Sequence, residues 1–192
     1  DTKAIQYLKD AANRGYPPAQ CLLGEFHARG ECGLYSNESK ASELLTLAAE
    51  GEDQRSAARA AMYLGHLYAG GIDGGSADEE KGLSCYLKSA ELGDPEGQYF
   101  YGQILEQGIL GTKEDVNQAY VWYRKAAELG HVKSLVMIGH AFSSGGMGMR
   151  EDLAEAAKCY TRAAAQGDAE AQFILGELYK AGGVGVPQDL NK

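Results

Sequence analysis

The stretch WYRKAAELG, residues 122–130, decides how the whole chain is read. It has the make-up of a helix end: an aromatic pair, two cations, two alanines and a closing glycine. Arg124 and Lys125 stand in the last turns, where positive charge favours the negative end of the helix dipole. Gly130 supplies a left-handed cap that other residues adopt only with strain. Nearly the same residues recur as YLKDAANRG ending at Gly15, LLTLAAEG at Gly51, CYLKSAELG at Gly93 and CYTRAAAQG at Gly167. Self-similarity at a fixed period marks an array of structural units.

A second motif lies between the first: CLLGEFHARG, MYLGHLYAGG, YFYGQILEQG, VMIGHAFSSG and FILGELYKAG. Its central glycines are Gly24, Gly65, Gly102, Gly139 and Gly176, spaced by 41, 37, 37 and 37. Six residues after each stands another glycine, from Gly30 to Gly182. Seven beyond that come Asn37, Asp78, Asp115, Asp152 and Asp189, all good helix N-caps. Ala41, Gly82, Ala119 and Ala156 follow, and then Ala48, Ser89, Ala126 and Ala163. Each unit therefore reads as a first helix, a glycine-containing loop, a second helix and a short turn, with the 3.6-residue apolar period in both helices.

A glycine inside a helix costs about 1 kcal/mol relative to alanine. Close approach of a neighbouring helix is the expected compensation, with the small Ala48, Ala126 and Ala163 on the second helices serving the same contact. Register breaks once. GEDQRSAARAAMYLG, residues 51–65, holds five more residues than the other inter-unit turns, and one is lost just before Gly51. SAARAA is a strong helix former, which predicts that the following helix begins early, near Arg55.

The pattern LG-x-x-Y-x-x-G, glycine-rich loop, Asp, then A-x-x-(W/C)-Y-x-x-(A/S)-A-x-x-G resembles the Sel-1-like repeat family, related to tetratricopeptide repeats. The resemblance covers essentially the whole chain and is nearest over residues 108–145. Departures are Gly82 for alanine, Tyr101 for leucine before Gly102, and Ala141-Phe142 for the Leu-Tyr pair. It implies an all-α solenoid: a right-handed superhelix of antiparallel helix pairs that binds other proteins. One repeat domain is expected over 1–192, with units at 1–15 (second helix only), 16–51, 52–93, 94–130, 131–167 and 168–192 (first helix plus loop). The ends thus read as cut from a longer solenoid, or as cut by disorder. Many bacterial members carry a disulfide across each repeat. Cys21 matches one half of that pair, but Ala12 stands at the other position.

The formal charge is −9 and no Lys/Arg run exceeds two, so phosphate backbones and anionic membrane surfaces are poor partners. No apolar run approaches the roughly 20 residues of a membrane span. Cys21, Cys32, Cys85 and Cys159 form no CxxC and read as reduced thiols. That leans towards an intracellular, cytoplasmic setting, with the endoplasmic-reticulum lumen as the alternative. Asn37-Glu38-Ser39 is a glycosylation sequon that would matter only in a secretory compartment, and the plainer reading is an N-cap asparagine. GGVGVP and GGMGMRED have no G-K-S/T after them, so they read as repeat loops, not phosphate cradles. Of His27, His66, His131 and His140, His66 and His140 share the position after the central glycine but lie two units apart, too distant to share a metal. No catalytic residue, cofactor or metal site is expected, and the chain reads as a non-enzyme.

Family resemblance puts the first helices on the concave face. Counted from the central glycine, positions −3, +1, +4 and +5 point away from the second helix. The candidate partner-binding residues are Met62, His66, Tyr99, Gln103, Glu106, Val136, His140, Phe173 and Glu177, with Tyr99 as anchor. The apolar row at −3 would equally serve to pack adjacent first helices. The expected function is a scaffold or adaptor for a protein or peptide. The alternative is a regulatory or activator subunit of a membrane-associated complex, of the endoplasmic-reticulum degradation or cell-wall synthase type.

Overall fold

The computed structural model describes residues 2–182, and the Asp189 cap and GGVGVP loop lie outside them. Among the described residues there are ten α-helices. They are α1 (Thr2–Asn13), α2 (Pro17–Arg29), α3 (Glu38–Glu50), α4 (Gln54–Gly70), α5 (Glu79–Glu91), α6 (Pro95–Gln107), α7 (Val116–Glu128), α8 (Val132–Ser144), α9 (Leu153–Ala164) and α10 (Ala169–Ala181). Even-numbered members are first helices and odd-numbered members second helices. The fold class is an all-α solenoid of antiparallel helix pairs. The described residues divide into two compact units: those up to 101 with 109–112, and 102–108 with those from 113 onward.

Local chemistry sets the helix boundaries. Asn37, Asp78 and Asp115 each accept a hydrogen bond from the backbone N–H three residues on, and Asp152 accepts from Ala154 and Glu155. These bonds satisfy donors that the first turn of a helix leaves open. Asp53, Asp94 and Asp168 do the same for first helices, and at that position in α8 the cap is His131. At the other end Gly30 and Gly145 close α2 and α8 with φ of 68°, the left-handed region. The register break behaves as SAARAA predicts: α4 starts at Gln54 and runs 17 residues against 13 in α2, α6, α8 and α10. Gly51 differs from its counterparts. Its φ of −71° is extended, and a side chain there would come within 2.8 Å of Pro17. The residue lost before it removes the left-handed turn and brings the chain against α2.

Rows of small residues run through the core beside larger buried side chains such as Leu45, Tyr123 and Tyr160. Ala41, Ala48, Ala119, Ala126, Ala156 and Ala163 are fully buried, as is Ser89. A further small row, five residues before each central glycine, holds Ala19, Ala60, Gly97, Ser134 and Ala171, all buried. In unit 1 a Cβ on Gly97 would lie 2.7 Å from that of Ser89, so these two rows let α5 and α6 approach closely.

Candidate partner-binding face

What lies over the central glycines orients each first helix. A Cβ added to Gly24 would stand 2.7 Å from Leu45, one on Gly65 2.8 Å from Tyr86, and one on Gly102 2.8 Å from Tyr123. On Gly139 it would stand 2.6 Å from Tyr160. The expected close contact is present, but its partner is the large residue of the second helix, not the alanine row. Gly176 has no described neighbour of this kind.

These tyrosines reach across the first helix, so their hydroxyls emerge at its outer edge. There they meet the residues expected to face a partner. Tyr86 Oη and His66 Nδ1 lie 2.7 Å apart, and Tyr160 Oη and His140 Nδ1 3.0 Å apart. Tyr123 donates to Glu106 Oε2 over 2.6 Å. His66, His140 and Glu106 thus complete buried hydroxyls as well as lining the outer face. His66 also packs edge-on against Phe100, with centroids 4.5 Å apart, and this loss of water holds its pKa below the ordinary value. Nε2 of His140 reaches Glu170 on α10 at 3.2 Å.

At the −3 row, three candidate residues, the expected anchor Tyr99 among them, are buried instead of exposed. Met62, Tyr99 and Val136 are 1%, 8% and 6% exposed. Buried to this extent, none of the three presents much surface to a partner. Phe173, in α10, is 70% exposed, and Glu177 beside it is exposed too. Gln103 is half-buried on α6.

Unit 1 holds a site that spacing alone did not bring together. Glu25, at +1 on α2, is buried although charged. Arg59 on α4 donates Nη2 to Glu25 Oε1 over 3.0 Å and lies 2.8 Å from Oε2. Tyr63 donates to Glu25 Oε1 over 2.6 Å, and Arg29 Nη1 stands 3.3 Å from the same oxygen. Arg29 Nη2 also donates to Tyr63 Oη over 2.6 Å. A carboxylate held by two guanidiniums and a hydroxyl offsets its lost hydration, as a buried charge requires. Burial and Glu25 together push the Tyr63 phenol up to about 12. Clefts of about 380 Å³ lie on either side of this cluster. One includes Arg29, Met62, His66 and Glu96; the other includes Pro18, Leu22, Arg55 and Arg59. The signal in the sequence was a glutamate with one arginine a turn further along the same helix and another about one repeat on, at positions that vary between repeats.

Cys21 is buried, Cys85 and Cys159 are half-buried and Cys32 is exposed, all as unpaired thiols. Among the described residues no three His, Cys, Asp or Glu side chains converge on a metal-sized site. No helix among them is long and apolar enough to cross a membrane.

The Sel1 repeat model matches residues 1–16, 17–53, 58–94, 95–131, 132–168 and 169–192. The chain is similar to a Sel1 repeat protein from Oxalobacter formigenes at 29% identity and a TM-score of 0.77, covering 98% of this chain and 72% of that one. It is similar to a protective antigen of uropathogenic Escherichia coli displaying an SLR fold, at 32% identity and a TM-score of 0.79. That match covers 98% of this chain but 38% of the antigen, so the chain spans well under half its length. Cysteine rich protein B of Helicobacter pylori, at 21% identity and a TM-score of 0.51 over 65% of this chain and 98% of that one, shares the fold. Among curated proteins none matches.

Proposed function

The chain belongs to the Sel1 repeat family, and from that premise we propose that it is a non-enzymatic scaffold or adaptor holding a partner protein or peptide on its first-helix face. Repeats of this kind generally mediate protein–protein interactions. The observation that carries the finer reading is the pair of open clefts flanking Glu25, both lined mainly by first helices. The small-residue contacts recur from repeat to repeat, while residues on the clefts vary in size and charge. A recurring scaffold with a varied face suits recognition of a specific partner.

A photo-crosslinking amino acid placed at Leu22 or Glu177 on first helices, and at Leu47 or Val121 on second helices, tests this reading. All four positions are exposed. Crosslinks to a captured partner from the first-helix positions are expected. Crosslinks from Leu47 and Val121 alone would overturn the assignment. The captured protein's identity would also separate an adaptor from an activator of a membrane-associated complex.

A further inference from the structure

In two places the residue just after a central glycine is bonded to the next first helix, six residues before that helix's own central glycine. Arg59 donates Nη2 to Glu25 Oε1 over 3.0 Å. Nε2 of His140 lies 3.2 Å from Glu170 Oε1. In α4 and α6 the same two positions hold His66 and Glu96, an imidazole and a carboxylate as in the His140 pair. Here the clasp is open. Both residues are exposed, and both line the cleft of about 380 Å³ that also holds Arg29, Glu38 and Met62.

The residue that holds it open stands one turn beyond Glu96 on α6. Phe100 packs edge-on against the His66 ring with centroids 4.5 Å apart, where the closed pair has Ile174 at the same position. Nδ1 of His66 lies 2.7 Å from the Tyr86 hydroxyl on α5, which donates to the neutral ring. Protonation reverses that bond, because Nδ1–H must then donate to the tyrosine oxygen. The charged groups around the cleft act together on the imidazolium. Arg29 on α2 repels it, while Glu96 on α6 and Glu38 on α3 attract it. Arg29 is itself tied to Glu25 and Tyr63, so the imidazole is the part that moves. Loss of water and Arg29 together hold the His66 pKa below 6.5, so at pH 7 the ring is neutral and the cleft open.

We infer that His66 and Glu96 form a proton-operated clasp: on acidification the imidazolium swings onto Glu96, joins α4 to α6 and closes the cleft between them. The bond formed is the one that His140 already makes to Glu170. Resting on the scaffold reading above, closure removes a surface on which a partner segment is held. Binding through this cleft therefore weakens as pH falls below 6.5.

NMR of the protein with methyl-labelled methionine, titrated from about pH 8 to about pH 5, tests the clasp without a partner. The His66 ring and the Met62 methyl in the cleft wall are expected to shift with one common midpoint. Glu96→Gln keeps the size of the side chain but removes its charge. It should lower the His66 midpoint by about 0.5 unit and cut the pH-dependent Met62 shift to about half or less, with circular dichroism unchanged. An unchanged His66 midpoint in this variant, or a Met62 shift as large as the parent's, would overturn the proposal. Either result leaves the scaffold reading in place, because crosslinks from Leu22 and Glu177 decide that separately. Absence of crosslinks from every first-helix position would remove the scaffold reading and leave the clasp to be judged by its titration.

Discussion

The ring of Tyr160 occupies the space in which a side chain on Gly139 would have to stand, 2.6 Å from the Cβ position. Real Cβ atoms do not approach a ring so closely, so any substitution must push α8 and α9 apart. Gly139→Ala should destabilise by about 1–3 kcal/mol and Gly139→Leu by more, read as a lowered urea midpoint. Gly70 at the end of α4 has nothing within 4 Å of its Cβ position. Gly70→Ala should therefore be neutral or stabilising by up to about 1 kcal/mol. Equal midpoints for the two alanine variants would refute the packing account.

Tyr123→Phe removes a hydroxyl without changing the ring over Gly102. Glu106, half-buried, then loses its 2.6 Å donor. A hydrogen bond to a charged acceptor contributes about 1.5–3 kcal/mol, and partial access of Glu106 to water places the loss at the lower end. Stability unchanged within about 0.5 kcal/mol would mean that the hydroxyl contributes nothing net.

His131 should make α8 sensitive to acid. Its Nδ1 accepts from the backbone of Ser134 over 3.3 Å, a role open only to the neutral ring, and burial lowers its pKa to about 4. The unfolded chain takes up that proton near pH 6.5, before the folded one does. The stabilisation is therefore complete above about pH 6.5 and is lost as pH falls towards 4, by about 3 kcal/mol at most. His66 and His27 are shifted in the same direction. His131→Asn keeps a neutral cap and should flatten the decline in urea midpoint between pH 6.5 and 4.5. An identical decline in the variant would assign the effect to other groups.

Much of this architecture was legible because each repeat writes the same constraint again. A mid-helix glycine at Gly24, Gly65, Gly102 and Gly139 implies close approach whichever residue provides it, and the Asn37 and Asp caps mark helix starts by their own chemistry. The early start of α4 followed from alanine-rich propensity. Spacing could not tell which neighbour occupied the glycine notch, because Ala126 and Tyr123 lie one turn apart on the same face of α7. One signal went unused: residues 86, 123 and 160 are tyrosines, not phenylalanines. A buried hydroxyl needs a partner, and that requirement would have drawn His66, Glu106 and His140 inward. The Glu25 cluster was harder to foresee. It joins residues 34 and 38 positions apart, so it depends on how the first helices of adjacent repeats meet.

Tyr99 and Phe173 occupy the same position of the repeat, and exposure separates their roles. Tyr99, at 8% exposed and with its ring 5.5 Å from that of its neighbour Phe100 on α6, is buried. Tyr99→Ala should cost about 3–5 kcal/mol of stability, as large-to-small changes of buried aromatics do. Any loss of partner binding would then follow from loss of structure. Phe173, at 70% exposed, has little packing to lose, and Phe173→Ala should leave the urea midpoint within about 0.5 kcal/mol. If α10 contributes to the partner-binding face, an exposed aromatic of this kind is the sort of anchor whose truncation weakens affinity by about 2 kcal/mol. Melting and affinity for a captured partner, measured on both variants, distinguish the cases. A stable Phe173→Ala protein with undiminished binding would remove α10 from the face. A Tyr99→Ala protein as stable as the parent would show that burial of this ring contributes nothing net to stability.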